Sequence, residues 1–479
     1  MVPKKLFVAV VIVLLAVSGS ALAQTLKNMT HPAPDGAFIS FQLTDGTVMV
    51  QGENWSDWWK LTPDSSGSYL KGTWTQLASL PSDYVPYAFA SAVLADGRLL
   101  IMGGEYSDGG DFTLTNQGAI YDPLKNTWKK MGHPKGWGYI GDSPSSVLAD
   151  GTYLIGRKTT KQGAVLDPKT LTWTEVAFTG KADFNAEEGW TLMPDGTVLT
   201  ADVKKVKHSE IYDPATQAWT SAGSTKVDLH NPYQGGCIPY GNNKEYCPPG
   251  EIGPAILRPD GTVFQTGSYS VQGPGHTAIY TPAAGGGIGT WKVGPDFPND
   301  DNAGDSFASL LPNGKVLVAG VNGYLYEFDG KNFNNGIFGY GCLMVLPTGE
   351  TLVGGSQLYS TTGTYKASWA PKITNFPSTV TRGSTYKISG KQFNGLSQAA
   401  SFGDEFETAT NYPLVRITNQ SSGHVFYART HDHSSMGVAT GSLKVTTSFD
   451  VPSNMETGAS SLEVVANGIP SPAVSITVN

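Results

Sequence analysis

Short apolar runs alternate with tight turns along most of this chain. Residues 90–104 show the pattern clearly: small and apolar residues lead into Asp96-Gly97, and a second apolar run follows and ends at Gly103-Gly104. This pattern predicts two antiparallel strands joined by a hairpin turn. Long helical periodicity is not evident, and 58 glycines, 30 prolines and 15% charged residues suit short strands. The sequence therefore predicts an all-β protein.

The same hairpin pattern recurs at intervals of 35 to 65 residues, a spacing typical of kelch-type propeller blades. Sequences such as I-Y-D-P-L-K-N-T-W follow several of the hairpins and predict the third and fourth strands of a blade. We therefore predict a seven-bladed β-propeller over residues 24–369. The seven turns are Asp45-Gly46, Asp96-Gly97, Asp150-Gly151, Asp195-Gly196, Asp260-Gly261, Asn313-Gly314 and Thr348-Gly349.

From residue 370 the pattern changes to short alternating strands without blade markers. The segments P-K-I-T-N-F, L-K-V-T-T-S-F and A-V-S-I-T-V are typical of an immunoglobulin-like β-sandwich. No low-complexity linker precedes them. We therefore expect a second domain over residues 370–479 that packs against the propeller.

Both the first residues and the cysteines indicate a secreted protein. Residues 1–23 combine two lysines, an apolar run and small residues at Ala21 and Ala23, which is the pattern of a secretory signal peptide. Outside the cytoplasm, Cys237 and Cys247 are expected to form a disulfide in their Pro- and Gly-rich loop. Cys342 lies in an apolar strand, and we expect a buried thiol.

Charge limits the choice of partner. The net charge is −8 and the pI is about 5.5, which disfavours binding to nucleic acid or to an anionic membrane surface. We expect a small-molecule or glycan substrate, no membrane association after removal of the signal, and a monomer.

We look for catalytic residues at the start of each innermost strand, because these positions lie at the mouth of the central channel. Eight residues before their turns, four of the later blades carry Asp142, Glu187, Asp305 and Tyr340, and Glu251 precedes the matching position of a fifth by one. Carboxylates gathered around one axis raise one another's pKa, so such a cluster suits a bound cation or acid/base catalysis. The alternative is that each carboxylate caps a strand end or faces water. We assign catalytic roles to these five residues.

A second candidate is the segment R-T-H-D-H in the terminal domain. His431 and His433, two apart on a strand, would point to the same side and could ligate a metal together or act in acid/base catalysis. A plain surface loop would also account for them. We predict that they bind a divalent metal ion of unknown identity together with Asp305 and Glu187.

Aromatic residues concentrate in the loops on the same face as the channel mouth. Exposed rings beside carboxylates suit sugar recognition, because the rings stack on apolar sugar faces. Some of these rings must pack between blades instead. The expected substrate-binding residues are Trp55, Trp58, Tyr87, Trp137, Tyr139, Arg157 and Tyr240.

The order of signal peptide, seven kelch-like blades and a sandwich that begins P-K-I-T and ends V-S-I-T-V resembles the galactose oxidase and glyoxal oxidase family. The resemblance implies a terminal early-set domain with a loop that brings a histidine to copper in the channel. Thr430-His431 stands where that loop would be. The family's cross-linked tyrosine and cysteine and its Tyr-His pair are not matched, since the corresponding positions hold Ala37, Ala88 and Gly304-Asp305. Copper is therefore not supported by this ligand set.

These features lead to one preferred hypothesis and two alternatives. The preferred one is a secreted enzyme that acts on carbohydrate or a related polyol through a carboxylate and histidine site at the channel mouth. The first alternative is a copper-dependent alcohol or aldehyde oxidase with an unusual ligand set. The second is a non-catalytic glycan-binding or interaction module.

Overall fold

The computed structural model describes residues 24–107, 110–232, 235–240, 244–268, 274–285 and 287–479. The predicted signal peptide, residues 1–23, lies outside them. Regular structure in these residues is β-strand, apart from two three-residue 3-10 turns at Pro298–Asp300 and Ala367–Trp369. None of the described residues belongs to a helix with the length and hydropathy needed to cross a bilayer. The all-β prediction is confirmed.

Six blades follow one another along the chain, each with four consecutive antiparallel strands, and each predicted turn joins the first two strands of its blade. The first strand of each blade is buried and faces the channel. In blades 1 to 3 the strands are Ile39–Gln42, Val48–Gln51, Trp58–Thr62 and Thr73–Gln76; Ala90–Val93, Leu99–Met102, Gly118–Asp122 and Thr127–Lys130; and Ser145–Val147, Tyr153–Gly156, Gly163–Asp167 and Thr172–Val176.

Blades 4 to 6 repeat this arrangement, and two short sheets lie in the loops beside the channel. The blade strands are Thr191–Leu192, Val198–Ala201, His208–Asp213 and Ala218–Ser224; Ala255–Leu257, Val263–Thr266, Thr277–Thr281 and Thr290–Val293; and Ala308–Leu310, Val316–Ala319, Tyr324–Phe328 and Ile337–Phe338. The loop strands are Pro86–Tyr87, Tyr106–Ser107 and Asp111–Phe112, and Ile238–Tyr240 and Lys244–Tyr246.

Blade 7 combines strands from both ends of the propeller segment. Leu343–Val345, Thr351–Val353 and Gln357–Ser360 form its inner part. Thr25–Asn28 adds the outer strand and pairs antiparallel, with Thr25 opposite Ser360. The ring is therefore closed by hydrogen bonds between residues more than 300 positions apart, and the added strand covers the outer edge of Gln357–Ser360.

The terminal domain is one curled sheet. Val425–His431 pairs along its first half with Leu414–Asn419 and along its last three residues with Lys444–Asp450, so a single strand belongs to both layers around the core. This is the form that the predicted sandwich takes. The remaining strands are Lys372–Asn375, Thr379–Val380, Thr385–Lys391, Gly458–Ala466, Ile469–Pro470 and Val474–Val478.

This domain packs on the propeller face that carries the hairpin turns. The Arg429 guanidinium donates to the Asp96 carbonyl at 2.6 Å, and the Thr430 amide donates to the Thr44 carbonyl at 3.0 Å. Both acceptors lie at the tips of first hairpins. Packing without a linker therefore places the terminal domain below the channel.

From that position, residues 397–412 enter the channel, and we call them the channel segment. Its strand Ala400–Ser401 pairs with the inner strand Ala308–Leu310 of blade 6. The Gln398 side chain accepts a hydrogen bond from the Leu192 amide at 2.9 Å and donates to Ser146 Oγ at 3.1 Å. The segment is thus held by the inner strands of blades 3, 4 and 6.

Candidate functional site

A cavity of about 350 Å³ lies above the tip of the channel segment, where the inner strands begin. Its wall combines the starts of these strands, the loops beside them and the segment tip. The lining residues are Phe38, Tyr87, Ala88, Glu105, Tyr106, Asp142, Glu187, Ile238, Pro248, Glu251, Asp305, Phe307, Tyr340, Phe402, Asp404, Glu405 and Phe406.

The structure brings all five predicted catalytic residues into this wall: Asp142, Glu187, Glu251, Asp305 and Tyr340. Asp305 has φ +45°, and Ala88, at the matching position of blade 2, has φ +51°. Residues other than glycine rarely adopt this left-handed conformation, and such strain is often found at functional sites. Two of the seven strand starts are therefore held in an unusual backbone geometry beside the cavity.

Three further carboxyl groups in the wall were missed at the level of sequence: Glu105, Asp404 and Glu405. Glu105 follows the second strand of blade 2. Asp404 and Glu405 form the tip of the channel segment, and both are about 4% exposed. The available signal was the sequence F-G-D-E-F, because two acids flanked by phenylalanines indicate a loop buried among apolar groups.

One buried ammonium group faces these carboxylates. Lys158 is fully buried, and its Nζ lies 3.7 Å from Glu105 Oε1 and forms closer ion pairs with Asp142 and Glu187. Burial opposes the charge of Lys158, but Asp142 and Glu187 outweigh it and raise its pKa well above the ordinary value. Lys158 therefore stays charged and serves as the counterion of this side of the cavity.

Glu187 is the carboxylate that this arrangement keeps ionised. Burial alone would raise its pKa, but Lys158 and hydrogen bonds that include Asp404 and Tyr246 lower it below the ordinary value. The Tyr246 hydroxyl donates to Glu187 Oε1 at 3.0 Å. Glu187 thus remains an anion at neutral pH.

Four of the other cavity carboxyl groups are driven toward the protonated form. Burial, with repulsion from Glu187, raises the pKa of both Glu251 and Asp305. Burial and the adjacent Glu405 raise the pKa of Asp404, and burial raises that of Glu405 to about 7. The cavity therefore contains ionised and protonated carboxyl groups side by side near neutral pH.

Aromatic rings form the opposite part of the wall around Tyr87. The ring centroid of Tyr87 lies 4.2 Å from that of Phe38, 4.7 Å from that of Trp55, with which it stacks, and 5.7 Å from that of Tyr106. Of the predicted substrate-binding residues, Tyr87 lines the cavity and Trp55 supports it from behind.

The remaining predicted substrate-binding residues lie elsewhere. Trp58 is fully buried and packs 5.0 Å from the ring of Trp128, and Trp137 is 2% exposed, so both belong to the core and their expected contact with substrate is corrected. Arg157 stacks over the Tyr139 ring at 4.4 Å, outside the cavity lining. Tyr240 lies in the strand Ile238–Tyr240, and its side chain is outside the described part of the chain.

The structure also corrects the expected position of His431 and His433. His431 Nδ1 lies 2.8 Å from Asp432 Oδ2, and His433 Nδ1 lies 2.8 Å from Thr447 Oγ1. Both follow Thr430 on the turn face of the propeller, so they are not brought together with Asp305 and Glu187. Burial lowers the pKa of His433 to about 3. The loop that does reach the channel supplies Asp404 and Glu405 instead of a histidine.

Among the described residues, two groups of side chains could hold a metal ion, whose identity is unknown. One is Glu105, Asp142 and Glu187, whose nearest carboxylate oxygens all lie within 4.8 Å of one another. The other is Asp202, His208 and Glu210 in blade 4. A lysine already contacts each group, Lys158 in the first and Lys181, at 2.9 Å from Glu210 Oε2, in the second.

Copper, the metal of the galactose oxidase family, does not fit the cavity. Copper sites in proteins include imidazole or sulfur ligands, and no histidine or cysteine occurs in the cavity lining within the described residues. Cys342 is buried and accepts a hydrogen bond from Ser40 Oγ at 3.1 Å, outside the lining. The possible metal-ligand atoms in the cavity lining are carboxyl and phenol oxygens.

The predicted disulfide between Cys237 and Cys247 is confirmed. It closes the loop that carries Ile238 and Tyr246, and Pro248 follows this loop directly. Ile238 and Pro248 line the cavity and Tyr246 contacts Glu187, so the disulfide constrains one wall of the site.

The chain was compared with family models and with curated proteins. No family model matches the chain. N-acetylneuraminate epimerase of Haemophilus influenzae (strain 86-028NP) is 24% identical over 272 residues, which cover 55% of this chain and 61% of that protein. The chain therefore spans less than two thirds of the length of this curated relative.

Solved structures match over more of the chain. A fungal alcohol oxidase of the AA5 family, in complex with copper, superposes with a TM-score of 0.50 at 15% identity and covers 95% of this chain and 98% of its own. A streptogramin B lyase superposes with a TM-score of 0.47 at 12% identity and covers 72% of this chain and 100% of its own. The oxidase match shows the fold alone, a galactose-oxidase-like seven-bladed propeller with a terminal β-domain.

Proposed function

We propose that this protein is a secreted enzyme that acts on a carbohydrate or related polyol by acid/base chemistry of the cavity carboxyl groups. The observation that carries the proposal is the excess of carboxyl groups over cationic groups in the cavity. Seven carboxyl groups line it, and Lys158 is the one ammonium or guanidinium group among the described residues that forms an ion pair with any of them. Such a cluster is energetically costly, and clusters of this kind are often functional sites.

The protonation states of the cavity carboxyl groups are the basis for separate acid and base roles. Glu187 is held as an anion by Lys158, whereas Glu405, with a pKa of about 7, exchanges its proton near neutral pH. Neighbouring groups whose pKa values are pushed apart are the usual basis of acid and base roles. In the proposed reaction, Glu405 protonates the leaving oxygen of a glycosidic bond. A cavity carboxylate takes a proton from the water that attacks the anomeric carbon.

The wall chemistry supports a sugar or polyol as substrate. Tyr87, Tyr106 and Phe38 offer ring faces to the apolar side of a sugar, and the carboxyl groups accept hydrogen bonds from its hydroxyls. The epimerase relative acts on a sugar by its name, but N-acetylneuraminate is an anion. The one cation that the described residues bring to the cavity carboxylates, Lys158, is already paired with Glu187 and Asp142, so the cavity offers an anion no free counterion, and we propose a neutral or cationic sugar here.

Two observations support secretion, the disulfide and the signal-like pattern of residues 1–23. The oxidase alternative rests on the fold alone, because the cavity donors do not fit copper.

The test is product formation by the purified protein on neutral and amine-bearing oligosaccharides, followed by mass spectrometry. We expect hydrolysed products from the wild type and from Glu175→Gln. We expect none from Glu405→Gln or Asp305→Asn. Glu175 is exposed on the last strand of blade 3 and serves as the charge-matched control. Binding without any product would indicate a binding module. Peroxide release with one bound copper would indicate an oxidase.

A further inference from the structure

We propose that the ligand of the cavity carries an ammonium group beside its hydroxyls, as an amino sugar with a free amine does. This inference rests on the proposed function in one respect, that the cavity is the substrate site. It adds the chemical class of the substrate.

The first support is the set of carboxyl groups without a cation. Lys158 forms ion pairs with Glu105, Asp142 and Glu187. The four others, Glu251, Asp305, Asp404 and Glu405, have no ion pair with a lysine, arginine or histidine in the described residues. A ligand cation beside these groups would favour their ionised form and act as their counter-charge.

The second support is a pair of buried acceptors that lack a donor. Asp142 Oδ1 and Asp404 Oδ1 are both inaccessible to solvent, and neither accepts a hydrogen bond from the described residues. Both residues line the cavity. An ammonium group donates three hydrogen bonds and accepts none, so it would satisfy such an acceptor once the carboxyl group turned toward the ligand.

The third support is the way in which the protein binds its own ammonium group here. Lys158 Nζ contacts Asp142 and Glu187 and lies 5.4 Å from the centroid of the Tyr246 ring. Carboxylates on one side and an aromatic face on the other are the usual surroundings of a buried ammonium. Asp305, Glu405 and Tyr87 meet in the same cavity, so they provide a second set of that kind.

A divalent metal ion fits the free carboxyl groups less well. The carboxylates of the cavity that are close enough together to hold a metal are Glu105, Asp142 and Glu187, and the Lys158 ammonium already lies among them. The aromatic faces of Tyr87 and Phe38 supply no ligand to a hard cation, which needs several oxygens. The same faces stabilise an ammonium.

The experiment compares two oligosaccharides that differ only in acetylation. Binding of a glucosamine tetramer with free amines and of its fully N-acetylated form is measured by isothermal titration calorimetry with the full mature chain at pH 6. We expect the free amine to bind at least roughly tenfold more tightly, as a desolvated charge pair would give. Added salt should weaken the preference.

Variants link the preference to the cavity. Asp305→Asn and Glu405→Gln should each remove most of the preference, and Glu175→Gln should keep it. Circular dichroism confirms that the variants are folded. Equal or tighter binding of the acetylated tetramer, or no binding of the amine, overturns the inference. Selective amine binding without turnover would overturn only the proposed enzyme activity. Turnover of the acetylated tetramer without a preference for the amine would overturn only the inference.

Discussion

The Tyr246 hydroxyl donates a hydrogen bond to Glu187 Oε1 across 3.0 Å. Tyr246 belongs to the loop that the Cys237–Cys247 disulfide closes, and Glu187 precedes the inner strand of blade 4. The bond thus connects the disulfide-closed loop to the start of the inner strand of blade 4. It also helps to keep Glu187 ionised at the wall of the cavity.

Replacing Tyr246 with phenylalanine tests this link. A hydrogen bond to a charged group contributes about 1.5 to 3 kcal/mol, so the free energy of unfolding of Tyr246→Phe should fall by that amount at pH 7. Because the pKa of Glu187 is lowered from 4.5, the difference should be complete above that pH and shrink as Glu187 is protonated in acid. Urea unfolding at pH 7 and pH 3.5 measures both. Tyr324→Phe, at an exposed position of blade 6, should be nearly neutral.

Removing the buried ammonium should strongly destabilise the protein. Lys158→Met leaves Asp142 and Glu187 without their cation, and breaking a buried ion pair costs about 3 to 5 kcal/mol. The loss should be greater at pH 8 than at pH 5, since acid protonates the abandoned carboxylates. Adding Asp142→Asn should restore part of the stability. Equal stability of Lys158→Met and wild type at pH 8 would contradict the counterion role.

Glu405 should make the protein less stable as the pH rises. Its pKa is raised from 4.5 to about 7 by burial, so the folded state binds the proton more tightly than the unfolded state. Its contribution to stability is full below pH 4.5 and is lost as the pH rises through 7. Thermal unfolding of Glu405→Gln should therefore show a smaller decrease in Tm between pH 5 and pH 8 than the wild type. A parallel decrease in the two proteins would mean that Glu405 does not titrate there.

Gly189 allows the channel segment to approach blade 4. A Cβ at this position would lie 2.5 Å from the Gly403 carbonyl oxygen. Gly189→Ala should therefore displace the segment and cost about 1 to 3 kcal/mol, with reduced ligand binding in the cavity. Gly138→Ala is the matched control, because no atom lies within 4 Å of its Cβ. If the two variants unfold at the same urea concentration, the close packing of the segment is wrong.

His431 should have no effect on the cavity. It lies between Asp432 and Asp450 in the terminal domain, and it does not line the cavity. His431→Asn should keep wild-type ligand affinity and activity, in contrast to Glu405→Gln. Titration of both variants with the same oligosaccharide checks this. A large loss of affinity in His431→Asn would restore the histidine to the site.

The sequence determined the parts of this protein that depend on neighbouring residues. Alternating apolar residues and Asp-Gly turns are local signals, so they established the all-β class, the seven hairpins and the start of each inner strand. Because the blades repeat, counting back from the turns also identified Asp142, Glu187 and Asp305, which lie in the same cavity wall. The disulfide followed from the spacing of two cysteines in one loop.

Only the tertiary structure decided which distant groups meet. Closure of blade 7 by Thr25–Asn28, the entry of Asp404 and Glu405 into the channel, and the ion pairs of Lys158 all join residues from separate parts of the chain. Burial is also a tertiary property, and it separated Trp58, a core residue, from Tyr87, which lines the cavity. The loop that fills the channel is determined by the orientation of the terminal domain on the propeller. That orientation depends on contacts across the domain interface, which no local pattern encodes.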